Sequence, residues 1–146
     1  MRIMAVDYGD VRTGVAVSDR SGTLAGEVFV ITETNAKKLA ARLLDEAASR
    51  DVCKIIVGNP LNMDGSAGPR AQKSAGLLGL LQAEGMDGAL WDERRTTVEA
   101  GRILHNAGKH GKKNRQRVDA VAAALILEGY ISRIKASASD KSEAKD

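Results

Sequence analysis

The sequence predicts a single α/β domain in which helices cover a mixed five-stranded sheet. Of its 146 residues, 43% are hydrophobic but only 3% are aromatic, so the core has to be built mainly from Val, Ile, Leu and Ala. Strand-like apolar runs come first and then alternate with helical patterns in the order βββαβαβαα, which favours later strands added in parallel by right-handed crossovers. This length fits one domain, which we place at residues 1–134.

The first three strands are predicted to form an antiparallel meander. Residues 2–7 are an almost continuous apolar run, as expected of a central strand that is buried on both faces. Residues 15–18 and 28–31 are further apolar runs, and glycine-containing turns separate them.

The rest of the chain is predicted to alternate helices with strands. Asn35 can cap a helix over residues 36–50, and residues 54–57 return as a buried strand. The loop 58–66 is longer than a tight connection requires, which indicates a function at the end of the fourth strand. The remaining predicted elements are a helix at about 68–84, a strand at 88–91, a helix from Thr96 or Thr97 to about 108, and a helix over 116–134.

Three acidic residues are predicted to meet at one edge of the sheet. Asp7 ends the first apolar run, Glu93 follows the fifth strand, and Asp119 interrupts an alanine-rich helical stripe. Carboxylates buried together without partners are costly, so this group indicates divalent cations held by oxygen ligands, either Mg²⁺ or Mn²⁺. The chemistry that this predicts is two-metal hydrolysis of a phosphodiester bond. For Asp119, a surface carboxylate favoured by the helix dipole is the alternative.

Asp92 is the alternative to Glu93 as a ligand. Successive residues of a strand face opposite sides, so a regular strand lets only one of these two carboxylates point into the crevice with Asp7. We choose Glu93, because its longer side chain reaches further past the end of the strand.

Basic residues are concentrated just before Asp119. The net charge is only +3, but five cationic side chains fall within residues 109–117, the basic segment: Lys109, Lys112, Lys113, Arg115 and Arg117. Beside a predicted metal ligand, this segment indicates contacts with the phosphates of a nucleic acid. A solvated loop is the alternative.

Four further residues are candidates for contacts with the substrate. Arg12, Arg94 and Arg95 suit phosphate binding, because a guanidinium can grip two phosphate oxygens at once. Ion pairs with the nearby acids are the alternative. Asn62 in the long loop is a candidate for positioning nucleic acid, with a purely structural loop as the alternative.

The remaining features constrain where the protein works. No signal-peptide pattern and no apolar stretch of about 20 residues are found, so we expect a cytoplasmic protein that does not associate with membranes. The single cysteine, Cys53, excludes an intrachain disulfide. Residues 135–146, rich in Lys, Ser, Ala and acids, are predicted to be a disordered tail.

Four motifs match a known pattern in the right order: residues 7–19 (DYGDVRTGVAVSD), 58–65 (GNPLNMDG), 92–97 (DERRTT) and 118–123 (VDAVAA). With them the chain resembles the YqgF family, also called RuvX, of ribonuclease H-like nucleases. The resemblance implies a ribonuclease H-like fold and a nuclease that trims the 5′ end of pre-16S rRNA. It also implies the older description of a Holliday junction resolvase, which acts on four-way DNA junctions.

Carried over by position, the family's acidic metal ligands correspond to Asp7, Glu93 and Asp119. Asp10 and Asn59 depart from the residue types that family members more often carry there. The partners implied are structured RNA, branched DNA and ribosomal precursor particles, and the protein is expected to be a monomer or a homodimer.

Two other classes of protein compete with a nuclease. An Asp-x-Gly before a hairpin also occurs in sugar-kinase and actin-like ATPases, but those enzymes clamp nucleotide between two such domains, and 146 residues provide one. An RNA-binding assembly factor without catalysis is the other class, and the presence of all three carboxylates opposes it.

Overall fold

The structure, a computed structural model, describes residues 2–22, 25–95 and 112–144. Its elements, in chain order, are β1 (Arg2–Asp7), β2 (Arg12–Ser18), β3 (Ala25–Thr32), α1 (Ala36–Ser49), β4 (Val52–Asn59), α2 (Pro69–Ala83), β5 (Gly88–Asp92), a 3₁₀ turn (Glu93–Arg95) and α3 (Lys112–Ala144). The helix predicted from Thr96 or Thr97 to about residue 108 lies outside the described residues.

The five described strands form one mixed sheet in the order β3-β2-β1-β4-β5. β1 pairs antiparallel with β2, and β2 antiparallel with β3. β4 lies parallel to both β1 and β5. The predicted meander and parallel crossovers are confirmed, and the first strand is central because it is apolar on both faces.

Strand alternation divides the core into two layers. Met4 and Val6 of β1 face the side covered by α1 and α2, whereas Ile3 and Ala5 face the side covered by α3. Asp7, the next residue in this alternation, therefore belongs to the α3 side of the sheet.

Helix α1 begins and ends with specific polar contacts. The Asn35 side chain accepts a hydrogen bond from the Lys38 amide at 3.0 Å, which confirms the predicted cap. At the other end, Arg50 donates to both carboxylate oxygens of Glu27 on β3, at 2.8 and 2.9 Å. Its guanidinium also lies 4.7 Å from the centre of the Phe29 ring. Arg50 thus ties the end of α1 to the edge strand.

Helix α3 packs on the sheet through its smallest residues. A Cβ added to Gly14 of β2 would lie 1.9 Å from the carbonyl oxygen of Asp119, so the helix backbone touches the strand. The buried positions of α3 include Ala120, Ala123 and Leu127. Val118, Val121, Ala122 and Leu125 are only partly buried. Because the helix backbone lies so close to β2, the small side chains of Ala120 and Ala123 fit at the buried positions.

Helix α3 also extends further than the sequence suggested. It continues to Ala144 and so includes residues 135–144, whose disorder in solution stays a prediction. Lys, Ala and Glu are good helix formers. The turns before them are packed on the sheet, so the helix only has to be extended and not nucleated there. Every helix in the described part of the chain is too short or too polar to span a bilayer.

Candidate active site

The carboxyl ends of β1, β4 and β5 bring Asp7 and Glu93 to the same edge of the sheet. Val6 pairs with Val57, and Gly58 pairs with Trp91. Asp7 at the end of β1 and Glu93 just after β5 therefore lie on either side of Gly58. A Cβ on Gly58 would lie 2.8 Å from Glu93 Oε1. Glycine at this position therefore leaves the space that the Glu93 carboxylate occupies.

Asp7 and Glu93 interact directly. Burial, followed by the charges of Glu93 and Asp119, raises the pKa of Asp7 to about 7. Burial also raises the pKa of Glu93, although a hydrogen bond with Asp7 opposes this change. Their shared hydrogen bond raises the pKa of Asp7 and lowers that of Glu93, which makes Asp7 the donor and Glu93 the acceptor. A positive charge beside these two carboxyl groups would favour their ionised forms.

Asp119 approaches this pair from α3 and is held by Arg12. Arg12 Nε donates to Asp119 Oδ2 at 3.2 Å, and the two side chains are 35% and 26% exposed. Burial raises the pKa of Asp119, whereas the charge and hydrogen bond of Arg12 lower it. Arg12 thus contacts a predicted metal ligand, as its ion-pair alternative anticipated.

The three carboxylates lie together but do not surround one point. Within residues 2–22, 25–95 and 112–144, no three His, Cys, Asp or Glu side chains are arranged to hold a metal ion. The contacts give the reason, because Asp7 and Glu93 bond to each other while Asp119 turns to Arg12.

Asp92 is turned away from Asp7. Trp91 packs on the α3 side, so alternation directs Asp92 to the opposite face and Glu93 back towards α3. The Asp92 carboxylate accepts from Arg94 Nε and Nη2, the latter at 2.7 Å. The structure therefore brings Glu93, and not Asp92, against Asp7.

Arg94 and Asn62 organise the long loop after β4. Arg94 Nη1 lies 3.5 Å from the Met63 carbonyl oxygen and 3.4 Å from the Cβ position of Gly65. Asn62 Nδ2 donates to Ser66 Oγ at 3.0 Å, and the backbone of Asn62 bonds with those of Gly65 and Ser66. These contacts fit the structural alternative for the loop, and binding of nucleic acid by Arg94 and Asn62 stays a prediction.

The side chains of the basic segment lie outside the described part of the structure. Lys109 lies outside the described residues, and so do the side chains of Arg95, Lys112, Lys113 and Arg115. Their contacts with nucleic acid stay predictions.

Sequence reasoning missed one cation at this edge, Arg70 in the first turn of α2. Its side chain is exposed, and its charge lowers the pKa of Asp7, Glu93 and Asp10. The available signal was its place in the helix that directly follows the long loop at the end of β4.

Comparison with known proteins agrees with this arrangement. The family described as "RuvX: Holliday junction resolvase" matches residues 1–133. A Halothermothrix orenii protein named "Putative pre-16S rRNA nuclease" is 45% identical over 137 residues, covering 90% of this chain and 95% of its own length. A Myxococcus xanthus protein of the same name is 41% identical over 132 residues, covering 90% and 87%.

Two solved structures resemble the fold. RuvC of Thermus thermophilus, in complex with a Holliday junction substrate, has a TM-score of 0.58 at 15% identity and covers 92% of this chain and 96% of its own. The Fowlpox virus resolvase, in complex with Holliday junction DNA, has a TM-score of 0.52 at 8% identity and covers 92% and 99%. The predicted ribonuclease H-like fold is confirmed. With the family match across nearly the whole chain, this protein belongs to the RuvX family, as its four motifs predicted.

Proposed function

We propose that this protein is a metal-dependent endonuclease that hydrolyses phosphodiester bonds in the 5′ processing of pre-16S rRNA. The observation that carries the proposal is the meeting of Asp7, Glu93 and Asp119 where β1, β5 and α3 converge. Relatives that are 38–45% identical along most of their length are named for pre-16S rRNA, which supports this substrate.

The donor set fits a hard divalent cation. All three side chains are carboxylates, and oxygen ligands are what Mg²⁺ and Mn²⁺ prefer. Burial raises the pKa of each of them, so a cation would supply the charge that the group lacks. Asp7, Glu93 and Asp119 would hold it. Two such ions held there would supply activation of a water molecule and stabilisation of the leaving 3′ oxygen.

Two neighbours affect this group differently. Gly58 leaves room for Glu93, whereas Asp119 would have to exchange its bond with Arg12 for the cation. The proton on Asp7 has to leave before all three carboxylates are charged. Metal affinity should therefore increase as the pH rises to about 7, because ligation and protonation compete.

Amide substitutions test the assignment of the ligands. Asp7→Asn, Glu93→Gln and Asp119→Asn should each remove most cleavage of labelled RNA in Mg²⁺ or Mn²⁺ while the protein stays folded. Asp45→Asn is the matched control, because Asp45 is an exposed carboxylate on α1. Cleavage at the wild-type rate by the Asp7→Asn protein would refute the metal site.

Resolution of four-way DNA junctions is the second candidate, and the description of the family favours it. It requires two active sites, which a symmetric dimer would supply. Cleavage sites should be mapped in parallel on pre-16S rRNA and on a four-way junction, with the mass of the protein measured in solution. Paired symmetric cuts in the junction by a dimer, with no cut in the RNA, would favour resolution over processing.

The basic segment is expected to contribute affinity more than turnover. Changing Lys109, Lys112 and Lys113 together to Ala should flatten the dependence of log affinity on log salt by up to about three, if each lysine contacts one phosphate. The rate at saturating RNA should change little. An unchanged salt slope on the same RNA would assign the segment to a solvated loop.

A further inference from the structure

Asp7, Glu93 and Asp119 form what we call the acidic cluster. A second group of charged residues lies beside it, on the exposed face of α2. Tyr8, Asp10, Arg70 and Lys73 line one shallow depression. The two cations are three residues apart on one helix, so their side chains project from the same face. Arg70 and Lys73 are not among the residues that the sequence predicted to contact nucleic acid.

Arg70 lies close enough to the acidic cluster for its charge to act on it, but it forms no hydrogen bond or ion pair with the described residues. Its charge acts on both Asp7 and Glu93, yet its exposed guanidinium forms no ion pair with any described side chain. A guanidinium held near carboxylates without gripping them keeps its donors available for another anion.

Lys73 is paired, but with a partner that it can release. Its Nζ lies 2.9 Å from Asp10 Oδ1, and the two side chains are 58% and 79% exposed. An ion pair in this much water contributes little to stability, so exchanging the Asp10 carboxylate for another anion costs little.

We propose that Arg70 and Lys73 bind a backbone phosphate of the nucleic acid next to the scissile bond, and that Asp10 is the counter-anion that Lys73 exchanges for this phosphate. The inference rests on the proposed nuclease function and adds the direction of the strand. From the depression, a groove of about 590 Å³ leads along α2 past Gly76 and Leu80. The strand would therefore leave the acidic cluster along α2 in the direction of Leu80.

The exchange has a consequence that an ordinary surface ion pair does not. Asp10 should weaken binding, since it repels the phosphates and occupies Lys73. Removing its charge should tighten binding, whereas removing either cation should weaken it. Most of the Asp10 effect should disappear when Lys73 is absent, because the two side chains act on one another.

The test is binding of a fluorescein-labelled single-stranded RNA, with chelator present so that neither metal nor cleavage is needed. Arg70→Gln should weaken binding about tenfold and lower the salt slope by about one. Asp10→Asn should tighten binding severalfold, and it should do so much less in a Lys73→Gln background. The matched control is Arg133→Gln, which removes an exposed charge on α3.

The outcomes separate this inference from the nuclease proposal. If Arg70→Gln binds like Arg133→Gln, or if Asp10→Asn binds no more tightly than wild type, the phosphate site is refuted. If these shifts occur but the metal-loaded wild type cleaves no RNA, the site stands and the nuclease function fails. In an active enzyme, Arg70→Gln should raise KM more than it lowers kcat, and its melting temperature should match that of Arg133→Gln.

Discussion

The acidic cluster should cost the metal-free protein stability, and Asp7→Asn measures this cost. An ordinary Asp has a pKa of 3.8, whereas the environment of Asp7 raises its pKa to about 7. Between these values the folded protein holds a proton that the unfolded chain has released. The free energy of unfolding therefore falls as the pH rises from about 4 to about 7, and then levels off.

The size of the effect follows from the same two values. At about 1.4 kcal/mol for each pH unit, the wild type loses about 4 kcal/mol across this window. Asn is neutral at every pH, and its amide can donate to Glu93 in place of the proton. Because an amide reproduces that contact incompletely, we expect Asp7→Asn to be more stable than wild type by about 2 kcal/mol at about pH 8.

Urea unfolding in chelator, followed by circular dichroism across the pH range, measures the difference. The gain should be small near pH 4 and should grow until about pH 7. Asp45→Asn, the exposed control, should not produce it. Added Mg²⁺ or Mn²⁺ should stabilise the wild type and leave Asp7→Asn unchanged. An Asp7→Asn protein that is less stable than wild type at pH 8 would refute the argument that burial and like charges strain this group.

Glu93→Gln should abolish metal-dependent cleavage, whereas Asp92→Asn should reduce it less; the reverse order on one RNA would show that the wrong carboxylate was chosen. Gly76→Ala should raise the free energy of unfolding by about 0.5–1 kcal/mol, because a Cβ there meets nothing within 4 Å. Gly14→Ala should prevent stable folding, since its Cβ would lie 1.9 Å from a backbone oxygen of α3. Equal free energies of unfolding in urea for the two glycine variants would contradict both predictions. Arg50→Ala should lower stability by about 1–2 kcal/mol through loss of Glu27 and the Phe29 ring, and an unchanged melting temperature would count against it.

The elements that could be predicted best are those whose own residues determine them. The run of residues 2–7 is apolar from Ile3 to Val6, and β1 has the predicted bounds, Arg2–Asp7. β2 was predicted from residue 15 but begins at Arg12, because pairing with β3 includes Gly14, a residue that composition assigns to a turn. Pairing with a neighbouring strand, and not composition, sets such boundaries.

The contacts of the site also differ in whether the local sequence could predict them. Alternation along β5 allowed only one of Asp92 and Glu93 to point into the crevice, and the longer side chain of Glu93 decided the choice; both are local properties of the sequence. The Arg12 contact with Asp119 joins residues that are 107 positions apart, and nothing local indicates it. Arg70 was missed for a similar reason, because its importance comes only from where the loop before α2 places it.

The acidic cluster joins residues that are far apart in the sequence. Asp7 belongs to the first strand, whereas Asp119 belongs to the last helix, which covers β1, β2 and β3. During translation β1 leaves the ribosome long before α3 does. An incomplete chain therefore leaves Ile3, Ala5 and Ile56 uncovered and has no third carboxylate. Synthesis of α3 is thus the moment at which the complete acidic cluster can first exist, so a nascent chain that ends before α3 lacks both the cover of this face of the sheet and one of the three carboxylates.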